Sequence, residues 1–151
     1  MPADTRALIE MARGTNAFKH MEIQALGEVL DDYHAQNFAQ GHRGVAIEKE
    51  EGVVGFAYFA PAAMTDRTWS LWWIVVDRQV QTRGIGGELL EFVEREVRAA
   101  TGRILLIETS SQPKYERTRR FYLKHGYSQV AAVPDFYAEG DDMLFFCKTI
   151  K

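Results

Sequence analysis

The chain is 151 residues long, with 46% hydrophobic and 26% charged residues, a composition typical of a soluble globular protein and sufficient for one domain over residues 1–151. A formal net charge of −3 argues against generic nucleic-acid binding. No apolar run could span a bilayer, and the N-terminus lacks the hydrophobic region of a signal peptide. We therefore expect a cytoplasmic protein without nucleic-acid or membrane partners.

The first half of the chain predicts helices and then strands, in the order helix 7–13, helix 21–34, strand 44–50, strand 53–60 and strand 68–77. In the second helix, Ile23, Leu26, Leu30 and His34 recur at near-helical spacing. The first two strands are β-branched or aromatic and lie two residues apart, which predicts a hairpin. The third strand is apolar at nearly every position from Leu71 to Val76, a pattern typical of a central strand buried on both faces.

The second half predicts helix 84–100, strand 103–109, helix 115–125, strand 127–133, loop 134–142 and strand 143–150. One apolar stripe on the first of these helices consists of Leu89, Val93 and Val97. Its outward face consists mostly of Glu91, Glu94, Arg95 and Arg98. Strand, helix and strand over residues 68–109 form a βαβ unit, so these two strands should be parallel. The fold class is α/β, with a mixed and otherwise antiparallel sheet.

A polar, glycine-rich turn joins the strand over residues 68–77 to the following helix. Gln81, Gly84 and Gly86 have the spacing Q-x-x-G-x-G, and Gly87 follows. Without a Cβ the backbone can approach a ligand closely, and the first amides of a helix have no intrahelical partner. This arrangement predicts an anion site suited to a pyrophosphate. The alternative is a glycine-rich turn without a ligand.

Two familiar phosphate-binding patterns do not fit this turn. A P-loop needs a Lys after its last glycine, and no Lys follows the glycines here. The dinucleotide pattern G-x-G-x-x-G does not match either, because Gly84 and Gly86 are followed by Glu88 and Leu89. With the preceding strand LWWIVVD, the segment resembles the coenzyme A motif of the GNAT N-acetyltransferase superfamily. Helices, hairpin and the FYLKHGY helix end extend the resemblance over most of the chain. It implies the GNAT fold and acetyl-CoA as cosubstrate.

In that family the backbone at the end of the strand pairs with the pantetheine, and the turn holds the pyrophosphate. By this resemblance the residues that contact acetyl-CoA are Ile74, Val75, Val76, Gln81, Thr82, Arg83, Gly84, Ile85, Gly86, Gly87 and Tyr115. Tyr115 stands where many relatives carry an asparagine. Relatives also begin with a strand that residues 1–5 do not predict. Its absence would expose a sheet edge that another subunit could cover, as in a homodimer.

Acetyl transfer needs a base for the amine, and Glu108 is the candidate. It follows Ile104 and Leu106 on one face of its strand, where an apolar residue would continue the core. A carboxylate in a buried position takes up a proton more readily. Glu108 also matches the position of the glutamate base in many GNAT enzymes. The alternative is a strand-end carboxylate that pairs with Arg103, Lys114 or Arg119.

The departing thiolate needs a proton, and Tyr122 is the candidate donor. A phenol has a pKa close to that of a thiol, so proton transfer between them is nearly balanced. In TRRFYLKHGY, Tyr122 is turned away from Phe121 along the helix. The run resembles the family element in which this tyrosine is the general acid. The alternative is a core tyrosine whose hydroxyl bonds a carbonyl.

Other polar residues give weaker signals. The histidines and the lone Cys147 show no metal-ligand spacing, so no metal is expected, and Cys147 should be a buried strand residue. The segment PDFYAEGDD is either a solvated turn or an anionic, aromatic mouth that attracts a cationic amine.

Two functions remain from the sequence. The first is an N-acetyltransferase that transfers the acetyl group of acetyl-CoA to a primary amine by direct attack in a ternary complex. Its acceptor could be a small molecule or a protein amine. The second is a non-catalytic domain that binds acyl-CoA or a partner.

Overall fold

The computed structural model describes residues 1–50, 52–81 and 84–151. Its main elements are α1 Thr5–Gly14, α2 His20–Ala35, β1 Arg43–Lys49, β2 Gly52–Pro61, β3 Thr68–Val76, α3 Ile85–Ala99, β4 Ile104–Ser110, α4 Glu116–Lys124, β5 Ser128–Ala138 and β6 Asp141–Thr149. Short 3-10 turns form at Pro2–Asp4, Asn37–Gln40 and Pro113–Tyr115. Every helix and strand predicted from the sequence is therefore present.

The strands form a six-stranded sheet in the order β1-β2-β3-β4-β6-β5. β3 and β4 are parallel, as the βαβ pattern predicts. The pairs β1–β2, β4–β6 and β5–β6 are antiparallel. This is the mixed sheet with a central parallel pair expected from the sequence. No strand precedes α1, because residues 1–42 contain only helices, turns and connecting segments.

The chain divides into two compact units. The first unit comprises Met1–Pro61 and Trp73–Val93, and the second comprises Ala62–Trp72 and Glu94–Lys151. None of the helices within the described residues is long and apolar enough to cross a membrane.

The core of the first unit lies where α1 and α2 pack against the sheet. His34 of α2 is exposed, but the rest of the predicted periodicity is confirmed, because Ile23, Leu26 and Leu30 are all buried. They pack in one cluster with residues of α1, β2 and β3: Leu8, Met11, Ala12, Phe56 and Val75. Exclusion of this apolar surface from water stabilises the helices, which are too short to be stable alone.

Two glycines allow α3 to approach the sheet closely. A Cβ on Gly55 of β2 would lie 3.0 Å from Leu89 Cδ1 and 3.2 Å from the Val75 carbonyl oxygen. In the second unit a Cβ on Gly102 would lie 2.4 Å from Val97 Cγ1. Larger residues at these positions would push the helix away. The predicted stripe of α3 is confirmed, since Leu89, Val93 and Val97 are fully buried.

Three details of the sequence prediction are wrong. β3 is not buried on both faces, since Leu71 and Val75 on one face are covered while Trp72 on the other is 48% exposed. Glu94 does not face outward but is buried, because it has a lysine partner described below. Cys147 is half-buried rather than buried, and its partial burial raises the pKa of the thiol.

The predicted loop over residues 134–142 is largely strand. β5 continues to Ala138 and β6 begins at Asp141, so only Glu139 and Gly140 turn the chain. The pairing shifts register between Val133 and Ala138, where Asp135 has a φ of +52°. This irregularity accommodates Pro134 within an edge strand, where proline is tolerated.

Candidate active site

The turn between β3 and α3 is built around Asp77. Its side chain accepts a bond from the Gln79 amide at 2.8 Å, and its carbonyl accepts one from Val80 at 3.0 Å. The Gln81 side-chain amide donates to the Val76 carbonyl at 3.2 Å. Gln81 therefore fixes the turn against the end of β3.

The N-terminus of α3 has the properties of an anion site. Helical bonding begins with the Glu88 amide, which donates to the Gly84 carbonyl at 3.1 Å. The preceding amides of Ile85, Gly86 and Gly87 consequently have no intrahelical acceptor. Gly84 has a φ of +80°, and a Cβ there would meet no atom within 4 Å. Open space thus adjoins these amides at the positive end of the helix dipole.

Two predicted members of this turn, Thr82 and Arg83, lie outside the described residues. The other predicted residues of the turn belong to the first unit: Gln81 and 84–87. The end of β3 belongs to the same unit. The parallel pairing of β3 with β4 is described from Thr68–Ile104 to Leu71–Ile107. Ile74, Val75 and Val76 therefore lie beyond that paired segment.

Glu108 lies near the end of β4, in the second unit. The expected burial of its side chain is wrong, since Glu108 is exposed while its neighbours Ile107 and Thr109 are buried. The expected ion pairs are absent from the described residues as well. Arg103 pairs with Asp66 instead. Arg119 bonds two backbone carbonyls, and Lys114 lies over the ring of Tyr115. The structure thus leaves the Glu108 carboxylate exposed.

The loop between β4 and α4 is held by Arg119. Its Nη1 donates to the carbonyls of Ser110 and Gln112 at 2.8 and 2.9 Å. The Ser110 hydroxyl also hydrogen-bonds the Asp141 carboxylate, which is 1% exposed. A guanidinium with several donors can hold two carbonyls in one geometry. The loop therefore has a fixed shape despite its length.

Tyr115 stands at the end of this loop, where α4 begins. It is half-buried, and the Lys114 ammonium lies 4.9 Å from the centroid of its ring. α4 ends at Lys124, with Gly126 at a φ of +86°, as the sequence predicts for the residue after the helix. Tyr115 and Tyr122 are thus carried by one short segment of the second unit.

Tyr122 is the most enclosed polar residue of α4. It is 4% exposed, and its ring centroid lies 5.9 Å from that of Phe146 and 6.0 Å from that of Tyr127. No hydrogen bond joins its hydroxyl to any residue in the described part of the chain. Every fully buried side-chain nitrogen or oxygen described there does have a partner. The hydroxyl oxygen must therefore reach solvent while the ring is buried.

This environment changes the acidity expected from the sequence. Burial raises the pKa of Tyr122 well above its ordinary value, because the phenolate would lose its hydration. The phenol therefore keeps its proton throughout the neutral range.

Tyr127, whose ring contacts that of Tyr122, has a structural role instead. It is 2% exposed, and its hydroxyl donates to Glu94 Oε1 at 3.0 Å. Lys148 donates to both Glu94 oxygens at 2.9 Å and to the His125 carbonyl at 3.0 Å. Burial, followed by the adjacent Glu94 charge, raises the pKa of Tyr127. Its hydroxyl is fully used within the fold, in contrast to that of Tyr122.

The segment over residues 134–142 is exposed from Pro134 to Gly140, whereas its last two carboxylates, Asp141 and Asp142, lie at the start of β6. Asp141 is buried against Ser110, and Asp142 Oδ1 accepts the Asp135 amide at 2.9 Å. Asp135 in turn accepts the Gly140 amide at 2.7 Å. These carboxylates serve the β5–β6 turn and its link to β4.

The comparisons with known proteins identify the family. A family model described as the acetyltransferase (GNAT) domain matches residues 40–129, which include the turn before α3, Glu108 and Tyr122. The chain belongs to the GNAT family. The resemblance found in the sequence is thereby confirmed. A comparison of this acetyltransferase with curated proteins gives no match.

Solved structures agree with this assignment. A protein from Desulfovibrio desulfuricans, assigned to the GNAT family of acetyltransferases, is 32% identical with a TM-score of 0.95, covering 100% of this chain and 95% of that chain. Two aminoglycoside 6′-N-acetyltransferases, one complexed with coenzyme A and one from Enterococcus faecium, are 20% and 21% identical with TM-scores of 0.77 and 0.78. Both alignments cover 100% of this acetyltransferase and 93% of the other chain. At that identity they show the fold.

Sequence reasoning missed three polar residues that shape this acetyltransferase: Glu94, Arg119 and Asp141. Their partners lie 54, 9 and 31 residues away along the chain. A charge on the apolar side of a helix is the one local signal that could have indicated Glu94. Within the described residues, no group of three or more His, Cys, Asp or Glu side chains could hold a metal ion.

Proposed function

We propose that residues 1–151 form one acetyl-CoA-dependent N-acetyltransferase domain, which transfers the acetyl group to a primary amine by direct attack in a ternary complex. The observation that carries the proposal is the N-terminus of α3, where amides without an intrahelical acceptor follow Gly84, at which a Cβ would meet no atom within 4 Å. Backbone amides at a helix N-terminus recognise a pyrophosphate without needing a side-chain charge. Membership of an acetyltransferase family makes acetyl-CoA the ligand that fits.

The contacts with acetyl-CoA follow from the same local geometry. The pyrophosphate is held by the backbone from Gly84 to Gly87, together with Thr82 and Arg83 as the family resemblance implies, and the pantetheine pairs with Ile74, Val75 and Val76. This segment of β3 lies beyond its described pairing with β4, and we expect the pantetheine to pair with it on that side. Gln81 acts indirectly by fixing the turn, and Tyr115 contributes from the start of α4.

The reaction forms one bond and breaks another. The neutral amine nitrogen attacks the thioester carbonyl, the C–N bond forms, and collapse of the tetrahedral intermediate breaks the C–S bond. The amine loses a proton to Glu108 through water, since this carboxylate is exposed. The departing thiolate receives a proton from Tyr122. Binding both substrates together supplies much of the rate gain through proximity.

Tyr122 favours an enzyme over a non-catalytic binding domain. A domain that only binds acyl-CoA needs no buried ring with an uncommitted hydroxyl. The Tyr122 hydroxyl is available to hydrogen-bond the coenzyme sulfur, because no residue in the described part of the chain bonds it. Its raised pKa keeps the proton in place until a thiolate develops.

The acceptor is an amine, either of a small molecule or of a protein. Two proteins of the same fold are named as acetyltransferases of aminoglycosides, which are cationic amines. The net charge of −3 mildly favours a cationic acceptor. Polyamines, amino acids, aminoglycosides, peptide α-amines and lysine peptides therefore form the panel to be tested.

Binding is tested with a matched pair of glycine variants. Gly84 and Gly140 have φ values of +80° and +77°, and a Cβ on either would meet no atom within 4 Å. Valine should therefore strain both positions equally, but only Gly84 adjoins the predicted pyrophosphate site. We expect acetyl-CoA at a hundredfold excess over its dissociation constant to stabilise the wild type and Gly140→Val by about 2.7 kcal/mol. Gly84→Val should show no such shift, and a full shift would contradict the assigned site.

Catalysis is tested by measuring coenzyme A release from acetyl-CoA over the amine panel. An acetyltransferase should release the thiol in proportion to the amide product with at least one amine. Binding of acetyl-CoA without turnover on any amine would instead support the non-catalytic alternative.

A further inference from the structure

The loop between β4 and α4 connects the two side chains assigned to proton transfer. Glu108 lies two residues before the end of β4 at Ser110, and Tyr122 lies on α4, which begins at Glu116. This whole segment belongs to the second unit. The shape of the loop therefore sets where Tyr122 stands relative to Glu108.

Arg119 joins the first turn of α4 to the end of β4 through its side chain. Its Nη1 donates to the Ser110 carbonyl at 2.8 Å and to the Gln112 carbonyl at 2.9 Å. The Gln112 carbonyl also accepts the Tyr115 amide at 3.0 Å, at the residue before the helix. Hydrogen bonds from a charged donor are stronger than neutral ones. One guanidinium thus holds a strand end, a loop carbonyl and the start of a helix together.

The strand end that Arg119 binds is itself anchored to β6. The Ser110 hydroxyl bonds the buried Asp141 carboxylate. The Ser111 amide donates to the Asp142 carbonyl at 3.0 Å, and the Ser111 hydroxyl accepts the Asp142 amide at 2.8 Å. These three bonds fix the position of residues 110 and 111. Arg119 therefore ties α4 to a fixed point of the sheet.

Arg119 also lies close to Tyr122 along the helix. The two residues are three apart, so they lie on one face and about 4.5 Å apart along the axis. The other end of α4 has a separate anchor, because Lys148 donates to the His125 carbonyl at 3.0 Å. Loss of the Arg119 side chain would release the start of α4 while its end stays attached. The helix would then tilt and carry Tyr122 with it.

We propose that Arg119 is a positioning residue for acetyl transfer, which holds the Tyr122 hydroxyl at a fixed separation from Glu108. This role rests on the functions proposed for Tyr122 as general acid and Glu108 as base. Proton transfer requires close and well-aligned groups, and a misplacement of about 1 Å can lower a rate by about a hundredfold. Arg119 acts through α4 and exchanges no proton itself.

Arg120 provides a matched control on the same helix. It is exposed and pairs with Glu116, one turn earlier, so its removal deletes the same charge and leaves the loop carbonyls bound. We expect Arg119→Met to lower kcat by about tenfold to a hundredfold. Its Kd for acetyl-CoA should change by less than about twofold, and Arg120→Met should change neither quantity. Arg119→Lys should recover part of kcat, since an ammonium keeps the charge but lacks the planar fork that holds both carbonyls.

The double variant Arg119→Met/Tyr122→Phe separates positioning from stability. If Arg119 acts by placing Tyr122, then Tyr122→Phe lowers kcat much less in the Arg119→Met background than in the wild type. A purely structural arginine would lower the melting temperature and leave the full effect of Tyr122→Phe intact. Circular dichroism and melting show which variants are folded at the assay temperature. Arg119→Lys takes the place of Arg119→Met in the cycle if the latter is unfolded.

Three results would overturn the positioning role alone: wild-type kcat in both Arg119 variants, an equal effect of Tyr122→Phe in both backgrounds, or a loss confined to acetyl-CoA binding. Each of them is read with Tyr122→Phe lowering kcat in the wild type, as the proposed function requires. Full turnover of Tyr122→Phe in the wild-type background would instead contradict the proposed general acid and overturn the role of Arg119 with it.

Discussion

Tyr122 and Tyr127 allow catalytic and structural roles to be separated by the same substitution. Both are buried tyrosines with ring centroids 6.0 Å apart, but only Tyr127 uses its hydroxyl within the fold. Phenylalanine preserves ring volume and removes only the hydroxyl. We expect Tyr122→Phe to lower turnover while leaving stability unchanged, and Tyr127→Phe to do the reverse.

The magnitudes follow from the hydrogen bonds. Tyr127→Phe removes a bond to a carboxylate, which is worth about 1.5–3 kcal/mol. In a domain of this size that lowers the melting temperature by about 3–12 °C. Tyr122→Phe loses no intramolecular bond and should change stability by less than about 0.5 kcal/mol. Loss of a general acid lowers turnover by about a hundredfold to ten-thousandfold.

Both quantities are measured on the same preparations. Melting temperature gives the stability, and coenzyme A release at saturating acetyl-CoA with the best amine gives the turnover. The Michaelis constant for acetyl-CoA should change little in either variant, since neither hydroxyl holds the pyrophosphate. Retention of wild-type turnover by Tyr122→Phe, with a melting temperature lowered as in Tyr127→Phe, would refute the reasoning.

Three other changes have expected outcomes. Glu94→Gln removes a buried carboxylate and should lower the urea-derived free energy of unfolding by about 2–4 kcal/mol, whereas Glu91→Gln, exposed on the same helix, should change it by less than about 0.5 kcal/mol. Glu108→Gln should lower turnover by about a hundredfold and flatten the acidic limb of the pH–rate profile without weakening acetyl-CoA binding, and an unaltered profile would remove Glu108 as the base. Burial raises the folded-state pKa of Tyr122 and Tyr127. Their contribution to stability is therefore fully present below the unfolded-state pKa of about 10 and is lost as pH rises above it. Between pH 9 and 11, chemical denaturation should show a smaller decrease in the free energy of unfolding for the double phenylalanine variant than for the wild type.

The sequence predicts most of the fold because the local signals agree with each other. Helical spacing in α2 and α3, the βαβ order and the glycine after α4 each indicate one structure, and all are confirmed. In the turn before α3 the pattern indicates a glycine for close approach to a ligand, and the positive φ of Gly84 is a second reason for glycine that the structure adds.

Other features depend on partners far away in the chain. Pro134 and Asp135 are local turn signals, but pairing with β6 extends the strand past them. Alternation in β4 predicts a buried Glu108, whereas burial depends on what covers each face of the strand. The bonds of Asp141 and Asp142 at the start of β6 are likewise unpredictable, because their partners include Ser110 and Ser111 of an earlier segment.

The contacts of Glu94 set an order of events during synthesis of the protein. Its two partners, Tyr127 and Lys148, follow it by 33 and 54 residues. While the chain emerges from the ribosome, α3 is complete long before either partner is available, and enclosing its carboxylate alone would be unfavourable. The second unit therefore cannot acquire its native core until β6 has left the exit tunnel. Contacts at such long sequence separation also slow folding. The Glu94 carboxylate therefore has to remain hydrated until Tyr127 and Lys148 are available to bond it.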